Sequence, residues 1–335
     1  MIRNRRLRLS RLRPCLLGLL PSPVLVVLLV LLPLAARAAT PAELLNAGRA
    51  DDALRLLAPQ AAGNNAAALN YLGRVYYALG DWENAVRNCE RAAQLEPNNA
   101  EFQLWLGRSY GEKASAAGPL TAYSLARRSV AAFTAARALD HQSIAIARDL
   151  AEYYAAAPSM VGGGADKALA LAAELVPAHP SDAAWVRALV ASSNKDYEQA
   201  EREYNESIRL DHNSASTYIE FARFLRTRKQ WDRFQQMIER ALASPRIRPS
   251  DRYDAAELLL KTNRGLSVAA AQMRAYIQSG HTEESAPVFR AHFLLGEILL
   301  KAGDASQAAA EYRASLALAS TYRPAADALG RLRLR

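Results

Sequence analysis

The residue types that do chemistry are thinly spread over this 335-residue chain. Its five histidines are His141, His179, His212, His281 and His292, and its two cysteines are Cys15 and Cys89. A zinc site needs His or Cys ligands paired at close spacing, yet no two histidines stand four apart and no Cys-x-x-Cys occurs. Two cysteines cannot build a disulfide framework, and Cys89, on an apolar helical face, reads as a small core residue. Val161-Gly162-Gly163-Gly164 is the one glycine-rich run. A helix start behind glycines can hold an anion, but no strand precedes it and no Lys-Ser or Lys-Thr follows, so it reads as a turn between helices. The acidic pairs Asp51-Asp52 and Glu283-Glu284 read as helix-start charges complementing the helix dipole. No serine or cysteine is set apart with a base and an orienting acid. The sequence therefore assigns no catalytic, cofactor-binding or metal-binding residue, and no cofactor.

Composition narrows the class of protein that must carry these residues. Hydrophobic residues make up 51 % and charged residues 22 %, the balance of a folded, core-burying chain. The formal charge of +9 is concentrated at one end. Residues 1–38 hold Arg3, Arg5, Arg6, Arg8, Arg11, Arg13 and Arg37 without an acid, which leaves the remainder at +2. A body so near neutral has no strong field for nucleic acid. The arginine-rich start, the uncharged apolar run from Leu16 to Ala36 and the small residues Ala36 and Ala38 are the layout of a secretory signal. The run also reaches the length of about 20 apolar residues that spans a bilayer, so an uncleaved membrane anchor is the rival reading. Pro21, Pro23 and Pro33 favour the cleaved signal. Either way, residues 39–335 emerge on the far side of the membrane, in a periplasm or cell envelope.

The exported part is periodic. From Ala66 to Asn99, Leu72-Gly73, Tyr76, Ala85, Cys89, Ala92 and Pro97 fall at unit positions 7, 8, 11, 20, 24, 27 and 32. Small residues at 8, 20 and 27 let two helices approach, and Gly80-Asp81 and Pro97 break the chain between them. Leu106-Gly107 and Tyr110 recur 34 residues after Leu72-Gly73 and Tyr76, and Leu295-Gly296, Gly303-Asp304, Ala308, Tyr312 and Ser315 repeat the spacing. This pattern resembles the tetratricopeptide repeat, a helix–turn–helix unit. The resemblance implies an all-α fold, a right-handed α-solenoid of stacked antiparallel helix pairs, over residues 41–65, 66–99, 100–143, 144–180, 181–214, 215–248, 249–280 and 281–320. Residues 322–334 read as the capping helix that a terminal repeat requires. His141 and His212 then fall in turns between helices, and His292 on a leading helix with a packing role. Two units exceed the period, so Gly111–Tyr123 and Pro158–Gly164 are expected as inserted loops lying near one another.

In such repeats, unit positions 2, 5, 9 and 12 of the leading helices usually face a concave groove. Carried over residue by residue, the resemblance proposes Asn70, Arg74, Tyr77, Arg108, Arg148, Arg223 and Arg226 as groove residues, among Leu104, Ile219, Phe293, Glu152 and Glu297. Arginines grip carboxylates through two parallel bonds, and tyrosine and apolar residues anchor a peptide, so the expected ligand is a protein or peptide partner with acidic groups. The family's clamp for extreme C-termini needs lysine and asparagine at set positions. Asn70 fits it, but all six lysines fall elsewhere. Three functions follow in order: an exported interaction module with a ligand groove, a scaffold or assembly factor of an envelope secretion or polymer-export complex using its convex face or edges, and an enzyme built on the two inserted segments. Membrane contact is expected only through residues 1–38.

Overall fold

A computed structural model describes residues 39–333, which hold seventeen α-helices, one short 3-10 turn and no strand. The helices are α1 (Pro41–Asn46), α2 (Ala50–Ala62), α3 (Ala66–Leu79), α4 (Trp82–Leu95), α5 (Ala100–Ser115) and α6 (Pro119–Leu139). They continue as α7 (Ile144–Ala156), α8 (Ala165–Leu175), α9 (Pro180–Ser193), α10 (Tyr197–Leu210), α11 (Ala215–Thr227) and α12 (Trp231–Ala243). The last are α13 (Pro249–Thr262), α14 (Leu266–Gln278), α15 (Val288–Lys301), α16 (Ala305–Leu318) and α17 (Arg323–Arg333). The proposed signal or anchor, residues 1–38, lies outside the described residues. Among the described helices none is long and apolar enough to cross a membrane.

Short polar side chains start many of the helices. Asn65 accepts the Ala68 N–H at the head of α3, Asp81 that of Asn84 at α4, Asp196 that of Gln199 at α10, and Asp304 that of Gln307 at α16. Each satisfies a donor that the first helical turn leaves orphaned. Gly80 ends α3 at φ +76°, the left-handed conformation in which a side chain is strained.

Within a pair, the helices meet where one has no side chain. Gly73 of α3 lies against Cys89 of α4, and Gly296 of α15 against Tyr312 of α16. An added Cβ at Gly107 of α5 would stand 2.5 Å from the Phe133 ring of α6. All three glycines occupy unit position 8. Ala85, Cys89 and Ala92 present a fully buried face from α4. Leading helices also pack on the next leading helix, α3 on α5, α7 on α9, α11 on α13 and α13 on α15. The architecture is an all-α solenoid with a core running unbroken from Leu104 to Leu329. The last helix, α17, buries Ala325, Ala328 and Leu329 against it.

Two sequence expectations are corrected. Gly111–Tyr123 is not a loop: α5 extends to Ser115 and α6 begins at Pro119, leaving three residues between them. Glu112, Lys113 and Ala114 are good helix formers, and Pro119 is pre-organised for a first helical turn. Glu283 and Glu284 do not start a helix, since α15 begins only at Val288.

The array bends until its first unit touches its last. The Asp51 carboxylate, in the first turn of α2, accepts the Ser320 N–H from beyond α16, at 2.9 Å and 3.1 Å to its two oxygens. Gly48, at φ +65°, runs so close to α15 that a Cβ would stand 2.6 Å from the Val288 nitrogen. Arg74 of α3 donates through Nε (2.8 Å) and a terminal nitrogen to the two oxygens of Glu284.

Candidate functional site

The face shared by the leading helices carries the candidate residues. On α3, Asn70, Arg74 and Tyr77 fall four and three apart, which places them on one side of the helix. α5 supplies Arg108, α7 supplies Arg148, and α11 supplies Arg223 and Arg226. Four of the five arginines are already engaged. Arg74, only 9 % exposed, holds Glu284 and Glu101 and lies over the rings of Tyr71 (4.6 Å) and Trp105 (5.0 Å). Arg108 donates to Asp149 and also lies over the Trp105 ring, at 4.5 Å. Arg148 donates to Asp182, approaches Glu220 at 3.8 Å and lies 4.0 Å over the Trp185 ring. Arg223 sits between Glu220 (3.8 Å) and Asp254 (3.6 Å). Arg226 is half-buried, and its Nε has no acceptor among the described residues.

Asn70 is buried rather than displayed, with its Nδ2 unpartnered. Tyr77 packs edge-on against Trp82 and Trp105 and reaches Glu112 with its hydroxyl at 3.4 Å. Its burial, with Glu112 nearby, pushes the phenol's pKa up. Glu297 of α15 points away from the shared chemistry and accepts the Tyr312 hydroxyl at 2.6 Å.

The carboxylates are the part that sequence reasoning missed. Asp149, Glu220 and Asp254 share unit position 6, three residues before position 9. Two of them precede another acid: Asp149 stands three before Glu152, and Asp254 three before Glu257. Like charges at that helical spacing repel, and this repeated fault was the signal available. Glu152 makes no hydrogen bond or ion pair among the described residues. Its side chain is open to water, yet the leading helices around it thin its solvation, and that partial desolvation, with Glu220 and Asp149 beside it, pushes its pKa up to about 7. Enclosure also raises Asp254 to about 6; Arg223 works against the shift, and Glu257 and Glu220 add to it.

The other chemical candidates resolve into structure. Cys89 is fully buried, and burial pushes its thiol up to about 12. The glycine loop spends its amides internally: Gly162 donates to Ser159, Gly163 to Pro158 and Gly164 to Tyr154. Few N–H groups remain there for an anion. His292 Nδ1 meets Glu311 at 2.7 Å, and His281 meets Glu283 at 3.2 Å. Among the described residues, no three of His, Cys, Asp and Glu are placed to hold a metal ion.

A family model described as TPR repeat matches residues 73–113, and one described as tetratricopeptide repeat matches residues 289–322. Tetratricopeptide repeats are matched over these two stretches. The first repeat match contains Arg74, Tyr77 and Arg108, and the second contains the seam helix α15. No curated protein matches the sequence. Among solved structures, a tetratricopeptide repeat protein from Parabacteroides merdae is similar at 17 % identity and TM-score 0.40, over 81 % of this chain and 99 % of that one. Yeast Tom70 is similar at 15 % identity and TM-score 0.48, over 85 % of this chain and 58 % of that one.

Proposed function

We propose that this protein is a non-catalytic interaction module, exported to the periplasm or cell envelope, that binds a peptide or protein partner on the face shared by its leading helices. The observation that carries the reading is the continuous run of arginine, carboxylate and aromatic side chains contributed by one leading helix after another from α3 to α13. Tetratricopeptide repeats supply the interaction character. The arginine-rich start and apolar run of residues 1–38 supply the address. Full-length tagged protein, purified from native membranes and envelope fluid, should bring down a reproducible partner whose recovery changes when Arg108, Arg148 and Arg223 are altered together to alanine. Intact mass on the same sample reads whether residues 1–38 are removed. Failure to recover any partner under crosslinking would overturn the reading.

One observation favours the scaffold reading as the second. The start of α6 and the turn after α7 expose large apolar residues: Leu120 is 91 % exposed and Met160 69 %. Single exposed apolar residues are ordinary, but these sit on the two segments that exceed the repeat period. If assembly runs through this edge, Leu120→Glu with Met160→Glu abolishes it while the triple arginine variant leaves it intact.

A further inference from the structure

Four of the five arginines that suggested an acidic partner are already paired from within, Arg226 alone standing without an acid among the described residues, and between α7 and α13 the unpaired or loosely paired charge is mostly negative. Glu152 has no cation on it. Glu220 makes no hydrogen bond among the described residues, and its two arginines both stand off at 3.8 Å. Asp254 has Arg223 alone, at 3.6 Å. These carboxylates come from α7, α11 and α13 and form no group that could hold a metal ion; with Asp182 of α9 between them they run along the leading helices as an extended chain would meet them.

Beside them lies a cavity of about 100 Å³, walled by Arg148, Asp182 and Trp185 on one side and by Asp211, Thr217 and Glu220 on the other, with serine hydroxyls completing it. At about 30 Å³ per water, it has room for roughly three waters or one ammonium or guanidinium group. The molecule shows what this wall accepts: the Arg148 guanidinium lies 4.0 Å over the Trp185 ring and donates to Asp182, the pairing of cation, ring face and carboxylate that favours arginine. Trp185 is 2 % exposed, and its indole N–H has no acceptor. An unmade hydrogen bond of this kind is costly.

We propose that the face from α7 to α13 takes a basic stretch of the partner polypeptide, with one arginine or lysine side chain seated between Glu220 and the two carboxylates already paired within the fold, Asp182 with Arg148 and Asp211 with Arg246 at 3.5 Å. This deepens the interaction reading above and rests on it. The titration of the face agrees. Glu152 is faced by Glu220 and Arg223 of α11 and by Tyr204 of α10, with Asp149 and Arg148 beside it on α7. Asp254 is faced by Arg223 and Glu220, with Glu257 and Asp251 on its own helix. Both have raised pKa values, so a bound cation expels protons, and affinity falls as pH drops through 7 and 6.

The test is fluorescence anisotropy of labelled hexa-arginine amide and labelled hexa-glutamate amide on the full-length chain in detergent, at pH 7.5 and 5.5. Hexa-arginine should bind at pH 7.5 and weaken at pH 5.5, and hexa-glutamate should not bind. Asp182→Asn and Glu220→Gln should each weaken hexa-arginine about tenfold or more, as loss of one member of a close, partly buried charge pair does. Glu152→Gln, which breaks no contact the fold uses, should also weaken it and flatten the pH dependence. Glu198→Gln on α10, an equal charge change at a side chain 93 % exposed, should leave it unchanged. Preferential binding of hexa-glutamate, or hexa-arginine binding unaltered by Glu220→Gln and Glu152→Gln in variants at least as stable as the parent, overturns the proposal. A native partner indifferent to Asp182 and Glu220 overturns this inference and leaves the interaction reading standing; absence of any partner removes the interaction reading itself.

Discussion

Gly73 has no room for a side chain, because Cys89 Sγ fills the space and the Ala85 carbonyl oxygen lies 3.2 Å from where a Cβ would stand. Gly73→Val should cost roughly 1–3 kcal/mol by overpacking, read by denaturant unfolding. Cys89→Ala in the same chain should return part of that loss, a coupling that a double-mutant cycle isolates. Glu152 gives a pH prediction whose sign is fixed by its environment. The ordinary value is 4.5 and the folded value about 7, so the folded chain holds more protons than the unfolded one between them. Its contribution to stability is therefore full below pH 4.5 and lost as pH rises through 7. Glu152→Gln should melt above the parent at pH 8 and close to it at pH 4.5. An equal melting temperature at both would show that the neighbouring acids do not press on it.

At the scale of elements, Tyr153 of α7 is the tie between the two over-long units. Its hydroxyl lies 2.7 Å from the Ala126 carbonyl of α6 and 2.8 Å from the Val161 carbonyl of the 3-10 turn, and Gly162 packs on Val130. Tyr153→Phe should cost about 1 kcal/mol and speed amide exchange at Val161–Gly164 well before the core. The tie explains what could and could not be read ahead of the structure. Helix pairing was legible because Gly73, Gly107 and Gly296 mark close approach locally, each within one unit. The residues added at Gly111–Tyr123 suggested a loop because a period counts only length, whereas Ala, Glu and Lys there propagate both flanking helices. The arginines of the shared face were legible from register alone. Their carboxylates were not, because Arg108 meets Asp149 and Arg74 meets Glu284 across units, 41 and 210 residues away, and no local pattern encodes which acid a bent array brings home.

The same bending decides the behaviour of the whole molecule. Arg74 is buried in the seam, and the Glu284 side chain it holds is 15 % exposed. Arg74→Ala leaves that carboxylate enclosed without its cation, at a cost of about 3–5 kcal/mol. Small-angle scattering on the same variant should show a larger maximum dimension, since the seam is what keeps first and last units together. A variant that loses stability while keeping its dimensions would show that Asp51 and Gly48 suffice to hold the join. Repeat arrays ordinarily exchange neighbours only along the chain, so their terminal units fray first and unzipping travels inward. Here each terminal unit has a neighbour on both sides. Separating the first unit from the last therefore requires rupture of the join that Asp51 makes with Ser320, Gly48 with Val288 and Arg74 with Glu284, while α17, packed on α16, can fray separately. A chain permuted to begin elsewhere around the turn should fold as well as the natural one.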